Sequence, residues 1–132
     1  QMSYQDTIID VAQYHHEDPH DFISLWTYID NGEQFKPFGD TADFEFVKQV
    51  FFDVIGYAMQ QGWLRLAKNG VFLTGSIDEQ IQLFKDKFPK SKMDTLEKDP
   101  IHFDIWFFAD SCPAGAVWVY QLEDDSEYLE WT

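Results

Sequence analysis

The stretch FEFVKQVFFDVIGYAM (residues 44–59) constrains this chain more than any other. It sets Phe44, Val47, Val50, Phe51, Val54, Ile55, Ala58 and Met59 at three- and four-residue spacing. That is helical periodicity with a broad apolar face. Such a helix needs another surface to take the face out of water. Asp40 or Thr41 suits its start and Gly62 its stop. Beyond it the period changes. WLRLA (63–67) alternates and reads as a strand, Lys68-Asn69-Gly70 as a turn and VFL as a returning strand.

The flanks follow the same logic. Ser3 caps a helix that carries Ile8, Ile9, Val11 and Ala12 and ends near His15. Asp18-Pro19 reads as the N-cap and first position of a second helix, which carries Phe22, Leu25, Trp26 and Ile29 to about Tyr28 before Asn31-Gly32. Residues 32–40 read as a loop. Ser76-Ile77-Asp78-Glu79 is a capping box ahead of Ile81, Leu83, Phe84 and Phe88, and that helix ends before Pro89. KSKMDTLEKDP (90–100) is polar and irregular. IHFDIWFFA, GAVWVYQL and EYLEWT then read as strands of an antiparallel meander, with turns at SCPAG and EDDS. Helices come first and strands after, which predicts an α+β class: one domain over 1–132, N-terminal helices packed on an antiparallel sheet that ends in a C-terminal meander. Gln1, ahead of Met2, reads as a residue foreign to the gene product.

Charge narrows the function classes. The net charge is −15, yet 45% of residues are hydrophobic and 18% aromatic, enough to build a core rather than a disordered chain. Residues 1–64 carry −9, residues 65–98 carry +2 and residues 99–132 carry −8. Such a field repels nucleic acid and anionic lipid and attracts a basic partner; its plain alternative is solubility. Residues 43–75 run helix, strand, turn, strand, like the end of a winged helix. The would-be recognition helix carries Asp43, Glu45 and Asp53 against Lys48 alone, too acidic to neutralise phosphates. No apolar run is long enough to span a membrane, and the single cysteine makes no internal disulfide, so the cytosol is expected.

The chemistry-bearing residues are few. Cys112 has Asp110 and Ser111 beside it, which do not activate a thiol, and reads as a small buried residue at a strand end rather than a nucleophile; His102 can approach it only across a sheet. HHEDPHD (15–21) collects His15, His16 and His20 with three acids, ingredients of a metal site. On a helix His15 and His16 point about 100° apart, so a polar interhelical corner is the simpler reading. Phosphate-binding glycine loops, a G-x-S-x-G elbow and H-E-x-x-H are missing. No catalytic residue, no metal and no cofactor is expected. Asp124 and Asp125 stand at an exposed hairpin tip, where a carboxyl makes a poor general acid. On the strands, Ala116, Trp118 and Tyr120 share one face and Val117, Val119 and Gln121 the other; Tyr128 and Glu130 oppose Leu129 and Trp131. Apolar groups on both faces predict a sheet covered twice in part, or one with an exposed aromatic patch.

GWLRLAKNGVFLTGSIDEQIQLFKDKFP (62–89), the strand and turn WFFADSCPAG and the closing YLEWT resemble a family of small bacterial proteins catalogued as a domain of unknown function. The resemblance covers roughly the C-terminal half. It implies an α+β cytosolic protein. It further implies an immunity protein encoded beside a polymorphic or contact-dependent growth-inhibition toxin. It brings no catalytic residues.

Together these readings give a protein that binds a basic toxin domain, such as a nuclease, through an acidic and aromatic surface. Asp110, Asp124, Asp125, Glu127, Tyr128 and Glu130 are its expected contacts. Two alternatives stand beside it: a small metal-dependent hydrolase using His15–His20, and an acidic adaptor or oligomeric binding module.

Overall fold

A computed structural model describes residues 2–92, 95–96, 99–100 and 103–132. Helix α1 (Tyr4–Glu17) starts where Ser3 Oγ accepts the Asp6 amide at 3.1 Å, and runs a half-turn past the expected His15. Helix α2 (Phe22–Asn31) starts later than Asp18-Pro19 predicts. The Asp18 backbone is taken: its N–H closes α1 on Tyr14 C=O at 3.0 Å, and Asp21 Oδ1 caps α2 through the Ser24 amide. Helix α3 (Phe44–Gln60) begins at Asp43 rather than Asp40 or Thr41. Asp40 instead closes its own turn, accepting from the Ala42 amide through its side chain and from the Asp43 amide through its carbonyl. A short 3-10 turn, Lys36–Phe38, interrupts the expected loop.

The α3 face is buried as its period demands. Val50, Phe51, Val54, Ile55 and Ala58 are fully buried, and α1, α2, helix α4 (Ile77–Lys87) and strand β1 (Leu64–Lys68) pack around it. Phe51 sits at the centre, within 5.3–6.0 Å of the rings of Phe22, Trp26, Phe52, Phe84, Phe88 and Phe107. Mostly tilted or edge-on pairs of this kind add to the area they bury. The capping box at Ser76 and Glu79 forms reciprocally.

Four antiparallel strands make the main sheet, in the order β2 (Val71–Phe72), β1, β5 (Gly115–Gln121), β6 (Glu127–Trp131). Leu64, Leu66, Ala116 and Trp118 join the helices in the core. On the other face Val117 and Val119 are also buried, while Trp131 packs on Phe72 at 5.1 Å between ring centroids and stays 45% exposed. Of the two outcomes expected for this face, the partly exposed aromatic pair is therefore present.

One expected strand is a helix. Within IHFDIWFFA the chain forms α5 (Phe103–Trp106) and turns on to Ser111; Ile101 and His102 lie outside the described residues. Tertiary packing overrides the β-prone composition here. Trp106 inserts into the aromatic core, 5.1 Å from Phe88, and the place beside β5 is held by β1. The stretch expected to be irregular, 90–100, holds a two-stranded pair, β3 (Thr95–Leu96) with β4 (Asp99–Pro100); residues 93, 94, 97 and 98 of it lie outside the described residues, as does Gln1.

Candidate functional site

Where α1 ends against the sheet, three rings stack. The His16 imidazole lies parallel to Tyr120 (4.4 Å between centroids, 10°) and to Trp63 (5.1 Å, 10°). Its Nε2–H donates to Val119 C=O at 2.8 Å, and Tyr120 Oη donates back to His16 C=O, one of the carbonyls that the end of α1 leaves open. Burial, then the Glu130 carboxylate, push the Tyr120 hydroxyl up from its ordinary pKa, which keeps it a donor. Gly62, at φ +77°, reverses the chain between α3 and β1 and delivers Trp63 to this stack.

Beside the stack opens a cleft of about 550 Å³. Its walls are β1, the Leu73–Ile77 link, Gln80 of α4 and the Gln121–Glu127 base of the β5–β6 hairpin. Arg65, the chain's only arginine, donates to Glu127 at 2.6 Å and lies over the Phe72 ring. The pair is exposed enough that it fixes geometry more than it adds stability.

The hairpin tip beyond the cleft is tightly made. Leu122 N–H donates to Ser126 C=O at 2.9 Å, and Asp125 N–H donates to Leu122 C=O at 3.1 Å. Asp125 takes the left-handed conformation at φ +67°, which Asp tolerates. Asp124 Oδ1 accepts from the Ser126 hydroxyl and amide, and these bonds hold its carboxyl below the usual range. Glu123, Asp124 and Asp125 are exposed, and among the described residues no cation pairs with them.

Five of the six expected contact residues therefore gather on one hairpin: Asp124 and Asp125 at its tip, Glu127, Tyr128 and Glu130 along β6. They do not share one face. Glu127 turns to Arg65 and the cleft, while Tyr128, 49% exposed, donates to Glu130 at 3.2 Å on the opposite face. Asp110 is not among them. It sits in the turn after α5, near the start of β5, about 20 Å along the strand from the tip. His16, Trp63, Arg65 and Gln80 were missed as cleft residues. A lone arginine in an alternating strand beside a helix-stopping glycine was the available hint; the closeness of His16 to Trp63 had none.

The other chemistry-bearing residues go to structure. Cys112 is fully buried, its thiol donates to Ala114 C=O at 3.3 Å, and burial pushes its pKa up. His102, its suggested partner, lies outside the described residues. The three N-terminal histidines part ways: His15 is buried with Nδ1 donating to Val11 C=O, His16 enters the ring stack, and His20 is exposed beside Asp18. Among the described residues no three His, Cys, Asp or Glu side chains are grouped to hold a metal ion. Among them, too, no helix is long and apolar enough to cross a membrane.

No curated protein matches the chain. A solved structure that resembles it is an uncharacterized protein conserved in bacteria, from Neisseria meningitidis, with 26% sequence identity and a TM-score of 0.70 over 95% of this chain and 88% of that one. A family model matches residues 59–132, from the end of α3 to the last residue, and so takes in most of the cleft and the whole hairpin. The chain belongs to that family, described as "Protein of unknown function, DUF596".

Proposed function

We propose that this protein is an immunity protein, which binds and neutralises a cognate toxin domain of basic charge and performs no catalysis itself. One observation carries the reading: the β5–β6 tip holds Glu123, Asp124 and Asp125 on a hydrogen-bonded frame with no cation among the described residues to satisfy them. A preformed acidic tip costs little ordering on binding. With a net charge of −15 behind it, it steers a basic partner inward and speeds capture. A nuclease needs a basic groove for its substrate, and carboxylates can stand where phosphates would.

Co-expression tests the proposal. Cells that make a toxic C-terminal domain of a secreted protein encoded beside this gene should grow when this protein is also made, and the two chains should co-purify. A toxic domain that still kills, with no complex formed, rejects the pairing.

A further inference from the structure

Both asparagines of this chain, Asn31 and Asn69, are followed by glycine. The backbone nitrogen of a residue can attack the side-chain amide of an asparagine before it. Glycine, with no Cβ, leaves that nitrogen least shielded. Local sequence gives the two steps equal reactivity; the fold separates them.

Asn31 ends α2, and Gly32 after it is closely packed. A Cβ on Gly32 would stand 2.6 Å from the Tyr28 carbonyl oxygen and would also collide with Gln34 Oε1. The Gln34 side chain is itself held, donating to Tyr28 Oη at 2.8 Å, and the Tyr28 ring stacks on Tyr14 at 5.2 Å between centroids. Bringing Asn31 Cγ onto Gly32 N turns the peptide group between them, and this packing resists the turn.

The β1–β2 turn is the opposite case. Asn69 at φ +52° and Gly70 at φ +80° lie between the paired residues Lys68 and Val71, the left-handed couple that a two-residue hairpin needs. Both are exposed, and nothing stands within 4 Å of where a Gly70 Cβ would be. Neither the Gly70 amide nor the Asn69 side chain makes a hydrogen bond among the described residues. Beyond the turn, β2 is short: two residue pairs and the bond from Leu73 N–H to Leu66 C=O hold it, and Val71 is 68% exposed. Such an end opens locally without disturbing the core.

We propose that Asn69 is a self-modification site, at which the folded protein deamidates and acquires isoaspartate. Gly70 N bonds to Asn69 Cγ, the Cγ–Nδ2 bond breaks, and Nδ2 leaves as ammonia with the proton that Gly70 N gives up through solvent. Water then opens the resulting succinimide. Attack at Asn69 C breaks its bond to Gly70 N and leaves the chain running through Cγ, as isoaspartate; attack at Cγ leaves ordinary aspartate. Water is consumed, ammonia is released and nothing is oxidised. Either product adds one negative charge to the −15, and isoaspartate adds a methylene to the main chain. A two-residue turn has no slack for that methylene, so the β1–β2 register slips. Phe72 and Leu73, which line the cleft, then lose their places. The site is independent of the immunity reading.

The test keeps the intact protein folded in mildly alkaline, isotope-labelled water and follows it by peptide mass spectrometry. The Asn69 peptide should take up one labelled oxygen and hold isoaspartate, told from aspartate by electron-based fragmentation. The Asn31 peptide should lag roughly tenfold in the folded protein and keep pace in urea, where local protection is gone. Asn69→Gly, which keeps a residue at ease at positive φ, should remove the reaction and retain the thermal melt. Aged protein separated by ion exchange should show moved amide NMR signals at Phe72 and Leu73, and Asn69→Gly aged alike should not. An Asn69 peptide that stays intact in the folded protein while the urea-unfolded chain reacts overturns the proposal. So does Asn31 reacting as fast as Asn69 in the folded state. Isoaspartate at Asn69 with Phe72 and Leu73 signals unmoved overturns its effect on the cleft.

Discussion

His15 and Cys112 show how one residue type changes meaning with its surroundings. Both invite a chemical role, and both are buried on an apolar face. Burial holds the His15 imidazole below its ordinary pKa of 6.5, with the nearby His20 adding to the effect and the bond to Val11 C=O opposing it. The unfolded chain therefore takes up a proton that the folded chain refuses. The stabilising effect is fully present above 6.5 and is lost as pH falls below it towards the folded value. Urea denaturation at about pH 7.5 and about pH 5.5 should show a smaller pH difference in His15→Leu than in the parent, since acidic groups elsewhere act on both alike. For Cys112, whose buried thiol is pushed up in pKa, a disulfide-exchange reagent should label the folded protein far more slowly than the urea-unfolded one. Rapid labelling in the native state would overturn the structural role assigned to it.

Among the elements, α5 and the β5–β6 hairpin carry the sharpest consequences. If Phe103–Trp106 is a helix that drives Trp106 into the core, Trp106→Ala should cost about 3–5 kcal/mol in chemical denaturation. A loss below about 1 kcal/mol would mean the side chain is not packed there. The hairpin should behave oppositely. Among the described residues Asp124 and Asp125 make no long-range hydrogen bond or ion pair, so Asp124→Lys with Asp125→Lys should leave stability within about 1 kcal/mol, apart from the lost Asp124–Ser126 bonds. The same double variant should slow association with the basic partner about tenfold at low salt, an effect that shrinks as salt is added. Unchanged association at low salt would place the interface elsewhere.

Taken whole, the protein is a small aromatic core inside a strongly negative surface. Its nine basic residues include an Arg65–Glu127 and a Lys92–Asp30 pair, but 24 acidic residues leave a net charge of −15. Self-repulsion opposes the compact state and is screened by ions. The thermal midpoint should therefore rise between about 20 and about 300 mM sodium chloride, where the Debye length falls below the spacing of surface charges. A midpoint that falls would mean that surface ion pairs outweigh the repulsion.

The α+β class, the four longer helices, the β1 and β6 strands and the capping box were legible because each rests on local causes: apolar period, cap chemistry and glycine stops. The acidic hairpin was legible for the same reason, since a polar turn between two alternating runs stays exposed in almost any fold. Two helix starts were misplaced because neighbouring aspartates compete for one role, and backbone bonds to α1 and to the preceding turn chose between them. IHFDIWFFA resisted reading because β-branched and aromatic residues satisfy either a strand or a buried turn of helix; the core's need for Trp106 decided. Beyond the lone arginine beside a helix-stopping glycine, the cleft had no local signature. It exists because β2 ends after Phe72 and because α1 brings His16 beside Trp63 and Tyr120. Local sequence thus determined which elements form and where charge is exposed, while only the packing of distant segments decided where the cleft lies.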